Sequence, residues 1–181
     1  YFPYSVIGPD GRRNLREPVG PQRTMPAEAL VLVLAGQPRK LGELRDQWLL
    51  VSVGAAACDA DCRNNLYLQR QMREAMGREK ERLDWVWLVS DDAALPADIA
   101  PALEQATVLR ADDAMLAQWL APQAGHGLSE HLYVVDPQGQ WMMRFPARMD
   151  GAGATQARRD LERLLRASAS WDQPGRAKEQ P

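Results

Sequence analysis

Two short runs of apolar residues constrain the fold of this 181-residue chain more than any other feature. Residues 48–53 and 85–89 are apolar at all but one position, Ser52, and each run has the length of a β-strand. A strand that is apolar on both faces lies inside a parallel sheet, because helices cover such a sheet above and below. The two runs therefore predict an α/β protein whose central sheet is buried between helices.

The remaining segments predict how the sheet is completed. Buried-strand candidates lie at residues 30–34 and 107–109. Helices are predicted at residues 61–76, at 96–105 and after Asp112, which suits a helix N-cap. Asp136-Pro137-Gln138-Gly139 is a strong hairpin signal between strands at 131–135 and 140–145. Ala157, Leu161, Leu164 and Leu165 recur at helical spacing and predict a closing helix. This order implies a mixed central sheet with helices on both faces and a C-terminal hairpin plus helix.

We expect one domain over residues 28–169. Residues 1–27 are rich in proline and glycine and are typical of a lead-in or linker, whereas residues 170–181 are polar and typical of a flexible tail. With 22 Lys and Arg against 24 Asp and Glu, the net charge of -2 argues against nucleic-acid binding. No apolar run reaches the ~20 residues that cross a bilayer. The aromatic opening Tyr1-Phe2-Pro3-Tyr4 suggests a missing N-terminal membrane anchor, with an arbitrary chain boundary as an equal alternative.

The chemistry of the chain is concentrated in its two cysteines, Cys58 and Cys62, which follow the first long buried strand. We expect both thiols at or near the N-terminus of the next helix, where unpaired N–H groups favour the thiolate. Four helical residues advance the chain by ~6 Å, which is inside the Cα separation that a disulfide tolerates. The pair can therefore form a bridge, remain a dithiol, or hold a soft ion such as Cu(I). Asp59 and Asp61 oppose thiolate formation but would favour a bound cation, and either can cap the helix.

The chain has two histidines. His126 lies in a glycine-containing loop from which an imidazole could reach the cysteines, and His131 opens the strand that follows. A lone histidine in a loop is more often merely exposed than a ligand. Of the two, His126 is the better candidate for a metal ligand.

These features together resemble a known family. The strand, Cys58-Asp-Ala-Asp-Cys62, the following helix, the late His-containing loop and Leu132-Tyr-Val-Val-Asp-Pro-Gln-Gly139 are similar to the Sco/SenC proteins, which assist cytochrome c oxidase assembly. The resemblance covers about residues 28–168. It implies a thioredoxin-like fold, an N-terminal membrane anchor and a position on the periplasmic side of the inner membrane. It also implies Cu(I) or Cu(II) bound by Cys58, Cys62 and a histidine, for which His126 is the candidate.

Three differences separate this chain from the usual family pattern. Asp59 and Arg63 follow the cysteines where family members usually carry proline. The segment before Cys58, Gly54-Ala55-Ala56-Ala57, lacks the family's aromatic and threonine pattern. Counting back from Asp136, the family histidine falls near Leu128, so His126 is two residues early and His131 three residues late. A divergent member that keeps the cysteines without tight metal binding is consistent with these differences.

Three functions follow from the same two sulfur atoms. The leading hypothesis is a membrane-tethered periplasmic protein that carries copper, or keeps copper-site thiols reduced, with an oxidase subunit or another copper or thiol protein as its partner. The second is a thiol-disulfide oxidoreductase with Cys58 and Cys62 as its catalytic residues. The third is a non-catalytic assembly adaptor of the same fold, in which the cysteines form a fixed disulfide.

Overall fold

A computed structural model describes residues 17–18, 23–33 and 37–169 of the chain. Its strands are β1 (Glu17–Pro18), β2 (Leu30–Val33), β3 (Pro38–Lys40), β4 (Trp48–Gly54), β5 (Leu83–Val89), β6 (Thr107–Arg110), β7 (Tyr133–Val135) and β8 (Trp141–Arg144). The α-helices of these residues are α1 (Ala60–Glu74), α2 (Asp113–Trp119) and α3 (Gly151–Ala167). Short 3-10 helices lie at Leu41–Leu44, Gly77–Arg82, Ala100–Leu103 and Leu128–Glu130.

The strands form one mixed sheet in the spatial order β1-β8-β7-β4-β5-β6-β2-β3. At its centre β4 pairs in parallel with β5, and β5 pairs in parallel with β6. On its other side β4 pairs antiparallel with β7. Every residue of β4 is buried, as the apolar run predicted. Because the three parallel strands run in one direction, their carboxyl ends lie side by side at one edge of the sheet.

Helices cover both faces of the sheet, which confirms the predicted α/β architecture. On one face, α1 and α3 pack over a core that includes Trp87, Phe145 and Leu161, and both cysteines belong to this core. On the other face, α2 contributes Leu116 and Trp119 to a second core. The closing helix buries the predicted positions Ala157, Leu161, Leu164 and Leu165, and Asp112 caps α2 by accepting a hydrogen bond from the Ala114 N–H.

Two local predictions were wrong. Residues 96–105 do not form an α-helix and instead contain the single 3-10 turn Ala100–Leu103. Pro101 has no N–H to donate and its ring opposes a continuous helix, so only one turn forms. The strand at β2 is not buried on both faces, because Val31 is 2% exposed whereas Leu30 is 69% and Leu32 38% exposed. This strand lies next to the edge of the sheet, and one of its faces is uncovered.

Part of the segment predicted as a lead-in is attached to the sheet. Glu17–Pro18 pairs antiparallel with β8, and the Met25 N–H donates to the carbonyl of Gly139. Residues 1–16, 19–22 and 170–181, including the aromatic opening and the predicted tail, lie outside the described residues. No helix in the described part of the chain is long and apolar enough to cross a membrane.

Candidate functional site

The two cysteines lie where the central strand β4 passes into helix α1. After Gly54 the chain turns, and the Cys58 N–H donates to the carbonyl of Ala55. Asp59 is the N-cap of α1, because its side chain accepts a hydrogen bond from the Cys62 N–H at 2.9 Å. The structure thus resolves the choice between Asp59 and Asp61 as the cap. It also places Cys58 just outside the helix and Cys62 in its first turn.

Cys58 and Cys62 form a disulfide, with their Cα atoms 5.0 Å apart. The backbone of Cys58 has a φ of 48°, in the left-handed region that residues with a side chain rarely adopt. Such conformations cost of order 1–3 kcal/mol and cluster at functional sites. The spacing left open a bridge, a dithiol and a bound soft ion, and the structure shows the bridge.

Both half-cystines face the core rather than the solvent. Cys58 is 3% exposed and Cys62 is 8% exposed, so Cys62 presents slightly more of itself at the surface. The neighbouring residues Ala57, Asp59 and Ala60 are exposed. The bridge consequently lies directly beneath a thin surface loop.

Two ion pairs fasten the start of α1 to flanking loops. Arg63 contacts Asp98 at 2.7 Å, and its Nε also donates to the carbonyl of Cys58 at 3.2 Å. The hydrogen bond from Arg63 lowers the pKa of the Asp98 carboxyl below its ordinary value. On the other side Asp61 contacts Arg148 at 3.4 Å. These pairs place cationic groups near a site where the two intervening aspartates would oppose a thiolate.

Gly54, at the end of β4, lies beside the sulfur of Cys62. A Cβ built on Gly54 would lie 3.9 Å from Cys62 Sγ, 3.9 Å from the Cβ of Ser129 and 3.8 Å from Trp87 Nε1. The indole N–H of the buried Trp87 has no hydrogen-bond partner among the residues that the structure describes. The 3-10 turn Leu128–Glu130 therefore lies beside Gly54, as does the sulfur of Cys62. Asn65 of α1 ties this turn to the helix by donating to the carbonyl of Ser129 at 3.2 Å. Sequence reasoning missed these neighbours because none carries a recognisable motif.

His126 is engaged with a carboxylate instead of the sulfurs. Its Nδ1 lies 3.3 Å from Oε1 of Glu130, and its side chain is 37% exposed. The hydrogen bond from the Gly127 N–H lowers the pKa of the Glu130 carboxyl, and the contact with His126 lowers it further. Within the described ranges, no group of three or more His, Cys, Asp or Glu side chains is placed to hold a metal ion. In this conformation the donor set of Cys58, Cys62 and His126 does not form a three-ligand site.

His131 is a structural residue of the core. It is fully buried, with Nδ1 2.9 Å from the carbonyl of Phe145 and Nε2 accepting from the Gln123 N–H at 3.2 Å. These contacts define the neutral tautomer with the proton on Nδ1. Burial lowers the pKa of His131, which agrees with a neutral ring. Both ring nitrogens are used, so His131 has none left for a metal.

A mixed sheet whose central parallel strand leads through a cysteine pair into a helix defines a thioredoxin-like domain. The family model described as "Transmembrane-like, thioredoxin-like, C-terminal domain" matches residues 48–168, from β4 to the end of α3. The chain belongs to this family. No curated protein sequence matches it.

Solved structures share the fold at low sequence identity. Yeast Sco1 superposes with a TM-score of 0.60 at 13% identity, over 78% of this chain and 96% of that chain. Copper-bound ScoI from Bradyrhizobium japonicum gives 0.53 at 18% identity, over 74% and 95%. The thioredoxin domain of a thiol-disulfide oxidoreductase from Bacteroides vulgatus gives 0.52 at 16% identity, over 78% and 97%. The resemblance to Sco/SenC proteins is thus present in the fold, which thiol-disulfide oxidoreductases share.

Proposed function

We propose that this domain exchanges disulfides with a partner protein through Cys58 and Cys62. The observation that carries the proposal is the bridge between the residue just before α1 and a residue of its first turn, at the carboxyl end of the central strand. The free N–H groups of a helix N-terminus stabilise a thiolate that is released there. A sulfur atom at this position is therefore a good leaving group when the bridge is attacked.

The short span of the bridge argues for a redox role. The two cysteines are four positions apart, so the cross-link restricts little of the unfolded chain. Cys58 in this bridge also has a left-handed backbone conformation, which is unfavourable. A bridge whose main purpose was to stabilise the fold would join distant segments instead.

The exchange proceeds in two balanced steps. A thiolate of the partner attacks one sulfur of the bridge, forming a mixed disulfide and releasing the other cysteine as a thiolate. The partner's second thiolate then attacks the partner's sulfur atom in the mixed disulfide and releases the domain's remaining cysteine as a thiolate. The partner leaves with a disulfide, and Cys58 and Cys62 are left as a dithiol. Run in reverse, the same steps reduce a partner's disulfide and keep its thiols reduced.

Mixed-disulfide trapping tests this function. In the full chain, Cys58→Ser and Cys62→Ser each leave one thiol. We expect this thiol, in at least one variant, to attack a disulfide-linked peptide dimer, forming a stable mixed disulfide with one peptide and releasing the other as a thiol. The double variant Cys58→Ser/Cys62→Ser is the matched control and traps none. Equilibration of the wild-type pair with glutathione buffers, followed by alkylation and mass measurement, gives its potential. A bridge that stays oxidised in the folded protein under excess dithiol, with no trapping by either variant, would refute the proposal.

We propose copper carriage as a second function, with the ion as cargo. Once the bridge is reduced, two thiolates offer the soft ligands that Cu(I) prefers. The observation that favours this function is that the Leu128–Glu130 turn and the sulfur of Cys62 both lie beside Gly54, because His126 is two residues before that turn. His126 would have to leave Glu130 to become the third ligand. The copper-bound state of a Bradyrhizobium Sco protein of the same fold motivates the idea.

Metal uptake by the reduced protein separates the two functions. Copper carriage predicts about one Cu(I) per chain, lost in Cys58→Ser and Cys62→Ser and held more weakly in His126→Ala. His131→Gln is the control, because both nitrogens of His131 are engaged in the core. Failure of the reduced wild type to take up copper against a weak chelator would exclude carriage and leave exchange untouched. Equal affinity in His126→Ala would remove His126 from the ligand set.

We further propose that the domain works on the periplasmic side of the inner membrane, tethered by an N-terminal anchor, and serves an oxidase subunit or another copper or thiol protein. A disulfide persists in oxidising compartments and is rare in the cytosol, which supports this location. Fractionation of cells that express the complete natural gene product tests the tether. Recovery in the membrane fraction is expected, and recovery in the cytosol would contradict the location.

A further inference from the structure

An open cleft of about 340 Å³ lies at the carboxyl ends of β5 and β6, beside β2. Its apolar lining residues are Leu30, Leu32, Val89 and Ala111, of which the two leucines are exposed. Strand alternation turns Leu30 and Leu32 to the face opposite the buried Val31, where they are 69% and 38% exposed. Val89 belongs to the same core as the cysteines. The cleft thus opens on the sheet face that α1 covers, beside the part of this face where α1 packs on β4 and β5 and towards β6 and β2.

The polar rim of this cleft is acidic. Among the described residues, Asp91, Asp92 and Asp112 line it together with one cation, Arg110. The guanidinium of Arg110 donates to the backbone carbonyl of Asp91 at 2.7 Å, which fixes the arginine in the wall. Three formal negative charges against one positive charge favour a cationic ligand. An exposed aliphatic surface beside this rim favours a ligand that also carries an apolar side chain.

The cleft is joined to the cysteine loop by two hydrogen bonds. The Ala56 N–H donates to Oδ1 of Asp91 at 3.1 Å, and the Ser90 N–H donates to the carbonyl of Gly54 at 3.0 Å. Ala56 is two residues before Cys58. Two residues span at most about 7 Å, so Cys58 lies within about 7 Å of Ala56. A partner chain bound in the cleft could therefore place a cysteine, a few positions along from its bound residues, at the bridge.

We propose that this cleft binds an extended segment of the partner protein, with an aliphatic side chain on Leu30 and Leu32 and a lysine or arginine opposite Asp92 and Asp112. The segment carries the cysteine that reacts with the bridge. The role as a reaction partner rests on the proposed exchange function, whereas binding to the cleft does not require any chemistry. The bond between Asp91 and the cysteine loop then aligns the bound segment with the bridge.

The binding test uses two ten-residue peptides with serine in place of cysteine, one with lysines flanking a leucine and one with glutamates in their place. Anisotropy with the oxidised full chain gives their affinities. We expect the lysine peptide to bind at least tenfold more tightly, and more weakly as salt is added. Leu32→Ser lowers its affinity about tenfold and Asp92→Asn about two- to fivefold. Two control variants should leave the affinity unchanged. Tyr67→Ser alters an exposed ring on α1. Asp46→Asn alters an exposed carboxylate just before β4, at the end of the parallel strands opposite the cleft.

Equal binding of both peptides, or no loss in Leu32→Ser and Asp92→Asn, would overturn the proposal. Tighter binding by the variant Arg12→Glu/Arg13→Glu would assign the cleft to the chain's own N-terminal segment and would also overturn it. Dithiol versions of the peptides separate this inference from the exchange function. If both reduce the bridge equally fast, exchange stands and the cleft proposal fails. If the lysine peptide with serine binds as expected, while neither dithiol peptide nor a small dithiol reduces the bridge, the cleft stands as a binding surface and exchange fails.

Discussion

Reduction of the Cys58–Cys62 bridge should leave the domain folded and nearly as stable as before. The bridge closes a loop of about five residues, and the chain-entropy relation gives a stabilisation of about 2 kcal/mol for such a loop at 25 °C. Holding Cys58 at a φ of 48° costs about 1–3 kcal/mol, which reduction allows the backbone to relieve. The two contributions nearly cancel, so the net loss of unfolding free energy should not exceed about 2 kcal/mol.

Thermal unfolding followed by circular dichroism, with and without dithiothreitol, measures this loss. For a chain of this size each kcal/mol shifts the Tm by about 2–4 °C, so the reduced protein should melt within about 8 °C of the oxidised one. The double variant Cys58→Ser/Cys62→Ser controls for effects of the reductant on the rest of the protein. A loss above about 4 kcal/mol, or unfolding on reduction, would show that the bridge stabilises the fold and would favour the adaptor hypothesis over exchange.

Three further predictions concern single residues. Asp59→Asn keeps a capping side chain but removes a charge beside the thiols, so alkylation of the reduced pair at neutral pH should be faster. Asp59→Ala should in addition lose about 1 kcal/mol of unfolding free energy, measured by urea unfolding. Equal stability of the two variants would contradict the role of Asp59 as the cap. Burial lowers the pKa of His131 below its ordinary value of 6.5, so the unfolded chain takes up the proton first and stability is lost as pH falls below that value. His131→Gln should flatten this pH dependence, and an unchanged slope between neutral and mildly acidic pH would refute a buried neutral ring. Gly139→Ala places a Cβ 2.9 Å from Met25 at a φ of 87° and should lower the free energy of unfolding by more than about 1 kcal/mol. Gly77→Ala, at a φ of 59° with open space around it, is the control that measures the backbone contribution alone. Equal losses in the two variants would contradict the clash with Met25.

The layered architecture was predictable because its causes are local. The apolar runs at β4 and β5 are buried on both faces only in a parallel sheet, and the stripe of Ala157, Leu161 and Leu164 can only be an inward face of α3. These patterns survive in any arrangement that buries apolar surface. Pro101 shows the limit, since one residue without an N–H reduced a predicted helix to a single turn.

The candidate site was predictable in its reactive atoms but not in its surroundings. The spacing of Cys58 and Cys62 allowed a bridge, and the strand before them placed both near a helix N-terminus. The sequence favoured His126 over His131 as a metal ligand. It could not show that Glu130 contacts His126 or that His131 is buried with both nitrogens engaged. The acidic cleft was equally hidden, because it is assembled from β2 and from the ends of β5 and β6, which are far apart in the chain.

The amino-acid sequence by itself determined the class of fold and the two sulfur atoms on which any chemistry depends, because periodicity and local spacing act between near neighbours along the chain. Only the tertiary structure decided that the sulfurs are bridged and nearly covered, that neither imidazole joins them, and that an acidic cleft lies beside their loop. These properties depend on which distant segments pack together, and that is set by the burial and hydrogen bonding of the whole sheet rather than by any single segment.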